Sequence, residues 1–348
     1  MVSVTIVVWN SERHLPQCFT ALRLQDYPEI EVVIVDNGSE DGTRALLREI
    51  DPEWRVLYND RNVGFAAGQN QAIGASRGEW VLCLNPDAVL SPNFISELVG
   101  AAKAHGDAGS LCGKLLRWNP SPDAASPKTN VIDSAGMYFT PNMRHLDRGA
   151  EETDHGQFDR MQYVFGATGA AVLLRREFID DVSVEGQLFD EEFFTWREDA
   201  DLAWRAQVMG WKCLYVPTAI AWHVRQVTPE RRERLPLLVN WHSVKNRFLL
   251  RGKNASGWLC RRLFFPVFWR DLMTVGYAVV RDQRLLSAVT YWWKARDSVR
   301  RKRAIIQGRR RVSDRDLLWW FSNIPRAVDV ATGTGSPAAA DQTQSLQR

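Results

Sequence analysis

Cysteine is scarce in this 348-residue chain, and no long apolar run and no phosphate-binding loop occurs in it. The five cysteines (Cys18, Cys83, Cys112, Cys213 and Cys260) form no CxxC pair. An odd, scattered set disfavours a disulfide scaffold or a zinc knuckle and fits a reducing compartment. No run of about 18 apolar residues is uninterrupted, which disfavours a transmembrane helix. The N-terminus, MVSVTIVVWNSE, has neither a basic start nor a small-residue cleavage site, so no signal peptide is expected. There is no GKS or GKT of a P-loop, and the glycines around Gly64 and Gly68 do not form GxGxxG, which disfavours a dinucleotide site. What is present is ordinary for a globular chain: 45% hydrophobic and 24% charged residues. Disorder and fibre are excluded for the bulk of it.

The net charge of +3 conceals a division. Residues 1–222 hold 19 Lys and Arg against 32 Asp and Glu, a balance of −13; residues 223–348 hold 25 against 9, a balance of +16. Six of the fifteen tryptophans (Trp258, Trp269, Trp292, Trp293, Trp319 and Trp320) also lie beyond residue 250. An acidic body with a basic, tryptophan-rich extension suggests a catalytic or binding part and a part that meets something anionic, either a membrane or nucleic acid.

Apolar β-branched runs at Val2–Val8, Ile30–Val35, Val56–Tyr58 and Trp80–Leu84 predict strands. Helical spacing follows each: Leu15 to Leu22, Gly42–Ile50, Ala66–Ser76, and a helix from Ser91-Pro92 to about Ala104. This alternation predicts a parallel sheet covered on both faces, with ligands at the carboxyl ends of the strands. Asp36 and Asp87 fall at such ends. Residues 117–160, rich in proline, read as loops with a hairpin. Gln162–Leu174 reads as a strand, Glu198–Met209 as a helix closed by Gly210, and Lys212–Val216 as a strand. From about Pro229 to Phe321 the pattern is helical and basic. The final stretch is small and polar and reads as a disordered tail.

Each candidate side chain carries two readings. Asp36 either recognises a base or ribose or merely caps its turn. Asn85-Pro86-Asp87 is either a turn or the seat of a cation that bridges two phosphates. Glu191, Glu192, Glu198, Asp199 and Asp201 are either a solvated helix start or the surroundings of a general base. His223 matters only if the chain returns it to Asp87. The Asn62–Asn70 stretch, with Gly64 and Gly68, either admits a nucleotide sugar or packs a helix on the sheet. Asn254-Ala255-Ser256 matches a glycosylation acceptor, discounted without a secretion signal.

In order, VTIVVWNSERHLPQCFTAL, EVVIVDNGSEDGT, NDRNVGFAAGQNQAI, GEWVLCLNPDAVL, GATGAAVLLRRE and FDEEFFTWREDADLAWRAQVMGW closely resemble the family 2 glycosyltransferases over about residues 2–223. Within that family the chain is most like bacterial rhamnosyltransferases of cell-surface polysaccharide or lipid-linked glycan synthesis. The resemblance implies an α/β GT-A fold with a mostly parallel central sheet. It also implies an inverting transfer from a sugar nucleotide to a hydroxyl, with Mg²⁺ or Mn²⁺ as cofactor. On the donor side it implies Asp36 at the nucleobase with Trp9 beside it, where the family more often has Tyr. Asn37, Arg61, Gly68, Asn70 and Asn85 join the donor set. Asp87 becomes the metal ligand, with Asn85 where the family's first Asp would stand, and His223 a second ligand. Val224-Arg225 follows, where many relatives have a second His or a glycine run. Glu198-Asp199 matches the family's ED motif, with Asp199 as base and Glu198 and Trp196 on the acceptor side.

The expected organisation is a glycosyltransferase domain over 1–225, a helical, basic, membrane-associating region over 226–325, and a disordered tail over 326–348. The expected donor is dTDP-rhamnose, with a UDP-linked hexose or galactofuranose as the alternative. The expected acceptor is a lipid-linked glycan, and a sugar-nucleotide-binding scaffold without activity is the competing class. LFFPVFWRDLMTVGYAVV, broken by Arg270-Asp271, would lie in the membrane interface rather than span it. The dense cations after it favour an anionic inner leaflet, at about 1 kcal/mol each, and a cytoplasmic, peripheral location. The basic region would serve a dimer contact as easily as a lipid, and no nucleic-acid module is recognisable.

Overall fold

The computed structural model describes residues 1–119, 126–225 and 237–330. The chain runs β1 (Val2–Val8), α1 (Leu15–Arg23), β2 (Ile30–Asp36), α2 (Thr43–Arg48), β3 (Arg55–Tyr58), α3 (Phe65–Ala75), β4 (Trp80–Leu84), β5 (Ala88–Leu90) and α4 (Phe94–Ala104). It continues through β6 (Ala108–Trp118), β7 (Lys128–Ser134), β8 (Met137–Phe139), β9 (His145–Asp147), β10 (Gln162–Val164), β11 (Ala171–Arg175), α5 (Arg176–Val182), α6 (Glu198–Val208) and β12 (Lys212–His223). The C-terminal part holds α7 (Leu237–Asn254), α8 (Gly257–Arg262), α9 (Phe264–Val280), α10 (Leu286–Gly308), α11 (Asp314–Trp319) and β13 (Val328–Asp329).

The main sheet has the order β13-β10-β12-β6-β11-β4-β1-β2-β3. On this path only β11 and β10 run against the others. The sheet is therefore mostly parallel, as its alternating pattern predicts. Every residue of β1 is buried, because helices cover both faces, so VSVTIVV needs no polar alternation. The register sets Val8 beside Asp36 and Asp36 beside Tyr58, so three strands deliver their carboxyl ends to one rim.

Four local expectations change. The helix predicted from Ser91-Pro92 begins at Phe94, after an Asn93 cap, because the Ser91 hydroxyl donates to Asn93 Oδ1 and forms a turn first. The single strand predicted over Gln162–Leu174 is two strands. A Cβ at Gly166 would lie 2.3 Å from that of Ala203, so the chain dips toward α6 there instead of continuing straight. The strand at Lys212–Val216 extends to His223, with a register shift between Val216 and Ile220 around Pro217. Within 117–160, β7 adds to the sheet beside β6, while β8 and β9 form the hairpin.

The basic helices share a core with the rest of the molecule. Leu249, Leu250, Ala295, Val299, Ile306 and Leu317 belong to the same buried cluster as Phe165, Phe193 and Trp204. Four of their cations, Lys245, Arg247, Lys253 and Lys302, are buried. Lys253 bonds Asp190 and Asp201, and Lys302 bonds Asp190 at 2.7 Å. Asn254, the discounted acceptor, is fully buried and donates to Asp201. In the stretch expected as tail, Val328–Asp329 pairs antiparallel with β10. Residues 331–348 lie outside the described residues. No helix among the described residues is long and apolar enough to cross a membrane.

Candidate active site

The rim formed by β1, β2 and β3 carries the expected donor residues. Trp9, just past β1, is 55% exposed and offers a free indole face. Asp36 is fully buried, and its carboxylate accepts from Arg44 Nε at 2.7 Å and from the Ser39 amide. Asn37 donates to the Gly64 carbonyl at 2.9 Å and accepts from Asn59 Nδ2 at 2.8 Å. Arg61 is exposed, and its backbone closes on Gly38, where an added Cβ would come within 2.8 Å. Gly68 lets α3 approach β1: a Cβ there would lie 2.8 Å from Val7. The Asn70 amide is spent on the backbone of Phe189, donating at 2.7 Å and accepting at 3.0 Å. Helix packing and loop clamping therefore account for Gly68 and Asn70 in this structure.

β4 ends at Asn85-Pro86-Asp87, and the bulged β12 brings His223 beside it, pairing His223 with Ala88 of β5. His223 Nε2 lies 3.3 Å from Asp87 Oδ1, and its Nδ1 lies 2.9 Å from Asp133 Oδ2. Asp133 also binds Arg225 at 3.2 Å and Arg117 at 3.0 Å, and Arg225 binds Asp147 at 2.6 Å. Burial alone would lower the His223 pKa, but Asp87 and Asp133 outweigh it and raise it to about 10. Burial would likewise raise Asp87, yet the facing imidazolium holds it below its ordinary value. Arg225 closes the charge balance around Asp133 and Asp147.

Across this rim lies the acidic segment. Asp199 occupies the first turn of α6; its Oδ2 accepts from the Gly169 amide at 3.1 Å and its Oδ1 from the Ala200 amide at 2.7 Å. The next residue, Ala170, accepts from the Asn85 amide at 2.9 Å. Two residues of one turn thus tie the Asp199 carboxylate to the Asp87 loop. Burial raises the Asp199 pKa, against the pull of those two amides. Glu198 is buried with Oε2 unpartnered, and burial and the adjacent Asp199 push it up to about 8. Trp196 is part-exposed beside them.

The segment before α6 is strained. Phe194, Trp196 and Arg197 have φ of 65°, 71° and 74°, unusual for bulky residues. Helix α7 holds it in place. Asn246 Nδ2 donates to the carbonyls of Phe193, Thr195 and Trp196 at 2.9, 2.8 and 2.7 Å. Arg197 donates to the Ser243 carbonyl at 3.0 Å, Lys245 to the Glu192 carbonyl at 2.5 Å, and His242 stacks on Phe194. Phe194 also touches the donor-side loop: a Cβ at Gly64 would lie 2.6 Å from it, which only glycine tolerates at φ 92°. Asp133, Asp147, Lys245 and Asn246 escape sequence reading, since none sits in a local pattern that marks chemistry.

A mostly parallel sheet with carboxylates at its carboxyl rim places a ligand site at that rim, and comparison with known proteins gives the class. Residues 3–182 match the family model described as "Glycosyl transferase family 2". The chain belongs to that family and is a glycosyltransferase. It is 27% identical to the N-acetylglucosaminyl-diphospho-decaprenol L-rhamnosyltransferase of Mycobacterium tuberculosis, across 89% of this chain and 99% of that one. The fold is GT-A. The structure of S. aureus TarS with UDP-GlcNAc is similar at a TM-score of 0.53 and 14% identity, over 88% of this chain and 90% of that one. GalNAc-T7 with UDP, GalNAc and Mn²⁺ is similar at 0.55 and 15% identity, over 73% of this chain and 48% of that one.

Proposed function

We propose that this glycosyltransferase moves L-rhamnose from dTDP-rhamnose to a hydroxyl of a lipid-linked glycan, by a single inverting displacement with Asp199 as base. The observation that carries the chemistry is the bridge from Asp199 through Gly169-Ala170 to Asn85, which ties a raised-pKa carboxylate to the Asp87 loop. The named rhamnosyltransferase, aligned over nearly its whole length, supports the sugar and the acceptor class.

In this reading Trp9 covers the base while Asp36 and Asn37 line its edge. Asp199 takes the proton from the acceptor hydroxyl as that oxygen attacks the anomeric carbon, and the nucleoside diphosphate leaves. Glu198, kept protonated at neutral pH, spares the site a second negative charge and with Trp196 faces the acceptor. Asp87 and His223 fit part of a divalent-cation site: with Nδ1 held by Asp133, His223 would offer Nε2 beside the Asp87 carboxylate once a cation displaces its proton. Among the described residues no three His, Cys, Asp or Glu side chains are placed to hold a metal ion by themselves, so diphosphate oxygens and water would complete the coordination. Mg²⁺ or Mn²⁺ bound there supplies charge stabilisation to the leaving diphosphate. A peripheral seat on the inner face of the plasma membrane belongs to the same reading, supported by the exposed apolar residues of α9.

The test is nucleotide release from a panel of sugar nucleotides, with a crude lipid-linked acceptor, Mn²⁺, Mg²⁺ or EDTA, and Asp199→Asn as control. The expected result is acceptor-dependent release from dTDP-rhamnose, lost with EDTA and lowered roughly 10²–10⁴-fold by the substitution. Release from a UDP-sugar alone would discard rhamnose, and nucleotide binding without any transfer would favour the scaffold.

A further inference from the structure

Helix α9 is built inside out. Its polar centre faces the protein: Asp271 binds Arg251 at 2.6 Å and Arg247 at 3.7 Å, and Thr274 binds Arg247. Its apolar residues face outward, with Phe265 72%, Trp269 61%, Met273 75% and Val280 79% exposed. These recur at helical spacing along one face. At 17 residues the helix is about 25 Å long, shorter than the roughly 30 Å hydrocarbon core, so it can lie in an interface but not cross it.

Beside the start of this face, α8, α9 and α11 border an open, shallow pocket of about 660 Å³ lined by Trp258, Arg261, Arg262, Phe265, Arg315 and Leu318. No carboxylate lines it. All three arginines are exposed, and none makes an ion pair among the described residues. Neighbouring basic residues are spent: Arg251 on Asp271, Arg310 on Asp314 and Arg311 on Asp181. Phe265 belongs to both the pocket and the apolar face, so the two features are continuous.

We propose that this pocket seats the phosphate of an anionic lipid headgroup while the outward face of α9 enters the membrane interface. Planar guanidiniums bind phosphate oxygens in pairs, and Trp258 and Phe265 suit the boundary between headgroup and acyl chain. A second copy of the chain suits the surface less well, because a two-fold contact would bring arginine-rimmed faces together. The proposal rests on the membrane-peripheral reading above.

Full-length protein is sedimented with phosphatidylcholine vesicles, with and without phosphatidylglycerol. Three forms are compared: wild type, Arg261→Gln/Arg262→Gln/Arg315→Gln, and the same three positions changed to Lys. Wild type should bind only the anionic vesicles. The Gln form should bind roughly 100-fold more weakly, as expected for three basic residues at an anionic surface. The Lys form should fall between them, because it keeps the charge and loses the fork. Unchanged binding by the Gln form, or wild-type binding by the Lys form, overturns the pocket and leaves the membrane reading standing. Displacement by inorganic phosphate at the concentration of lipid phosphate also overturns it, assigning the pocket to a free anion. Absence of wild-type binding overturns both. All forms should melt alike and transfer equally to a water-soluble acceptor, which keeps the glycosyltransferase reading separate.

Discussion

Asn246 Nδ2 donates to the carbonyl of Trp196 at 2.7 Å, fifty residues away in sequence, where Trp196 is held at a φ of 71°. The same amide group reaches two more carbonyls of that turn. A fully buried asparagine on α7 thus holds the backbone of this turn, two residues before the Glu198-Asp199 pair. Positive φ at bulky residues costs on the order of 1–3 kcal/mol each and persists only where the surroundings enforce it.

Asn246→Ala should therefore let the turn relax and misplace Asp199. Steady-state kinetics should show kcat lowered by about 10- to 100-fold, in line with the cost of a small misplacement. The dissociation constant for the nucleotide alone should change less than kcat, because Trp9 and Asp36 stand on β1 and β2 and only Phe194 of the turn reaches the donor-side loop at Gly64. A loss confined to thermal stability, with kcat intact in the folded fraction, would reduce Asn246 to a purely structural role.

Much of the fold was readable because its strands are short β-branched runs between helical spacings, and β1, β2 and β4 fall where VTIVV, VVIV and WVLCL stand. The approach of His223 to Asp87 was implied by the family resemblance and not by any local pattern. It depends on the register shift between Val216 and Ile220 around Pro217, which local sequence does not display. Asp133 and Asp147 were hidden differently: they sit in a stretch read as loops, and their meaning comes only from Arg117, Arg225 and His223 across space. The basic excess beyond residue 222 was visible, but not that Lys253 and Lys302 turn inward. Sequence counts charges and does not show which way a helix face points.

That inward turn makes a prediction about stability. Lys253 bonds Asp201 at 2.9 Å and also Asp190, and all three side chains are buried. Burial would raise Asp190, but Lys253 and Lys302 overcome it and hold the carboxyl below its ordinary range. Lys253→Met leaves two buried carboxylates short of a cation, which typically costs about 3–5 kcal/mol. Urea unfolding should show that loss in the midpoint. A change within experimental scatter would mean that Lys302, Asn254 and Arg205 compensate fully.

The Asp87–His223 pair predicts a metal dependence that can be read without turnover. Nucleoside diphosphate should bind more tightly with Mn²⁺ than with EDTA, and Asp87→Asn should abolish that difference while leaving metal-free binding similar. Isothermal titration supplies both numbers. Equal tightening by Mn²⁺ in wild type and variant would move the cation elsewhere.

Glu198 offers a test by pH, because its environment contradicts its charge. Burial and the adjacent Asp199 raise its pKa from 4.5 to about 8 in the folded protein, while the unfolded chain keeps an ordinary carboxyl. The folded state therefore holds a proton that the unfolded state has already released. Stability tied to that proton is fully present below the unfolded pKa and is lost as pH rises through the folded value near 8. Glu198→Gln mimics the protonated form at every pH. At or below about pH 4, beneath the unfolded pKa, the variant and wild type should melt at similar temperatures, and the wild type should fall progressively behind as the pH rises toward 8. Above pH 8 the variant should be more stable, by an amount of order a few kcal/mol, since each pKa unit is worth about 1.4 kcal/mol. Melting curves across this range decide the matter. A variant equally stable or less stable than wild type at high pH would mean that Glu198 ionises without penalty, and that the Asp199 neighbourhood is wetter than its burial implies.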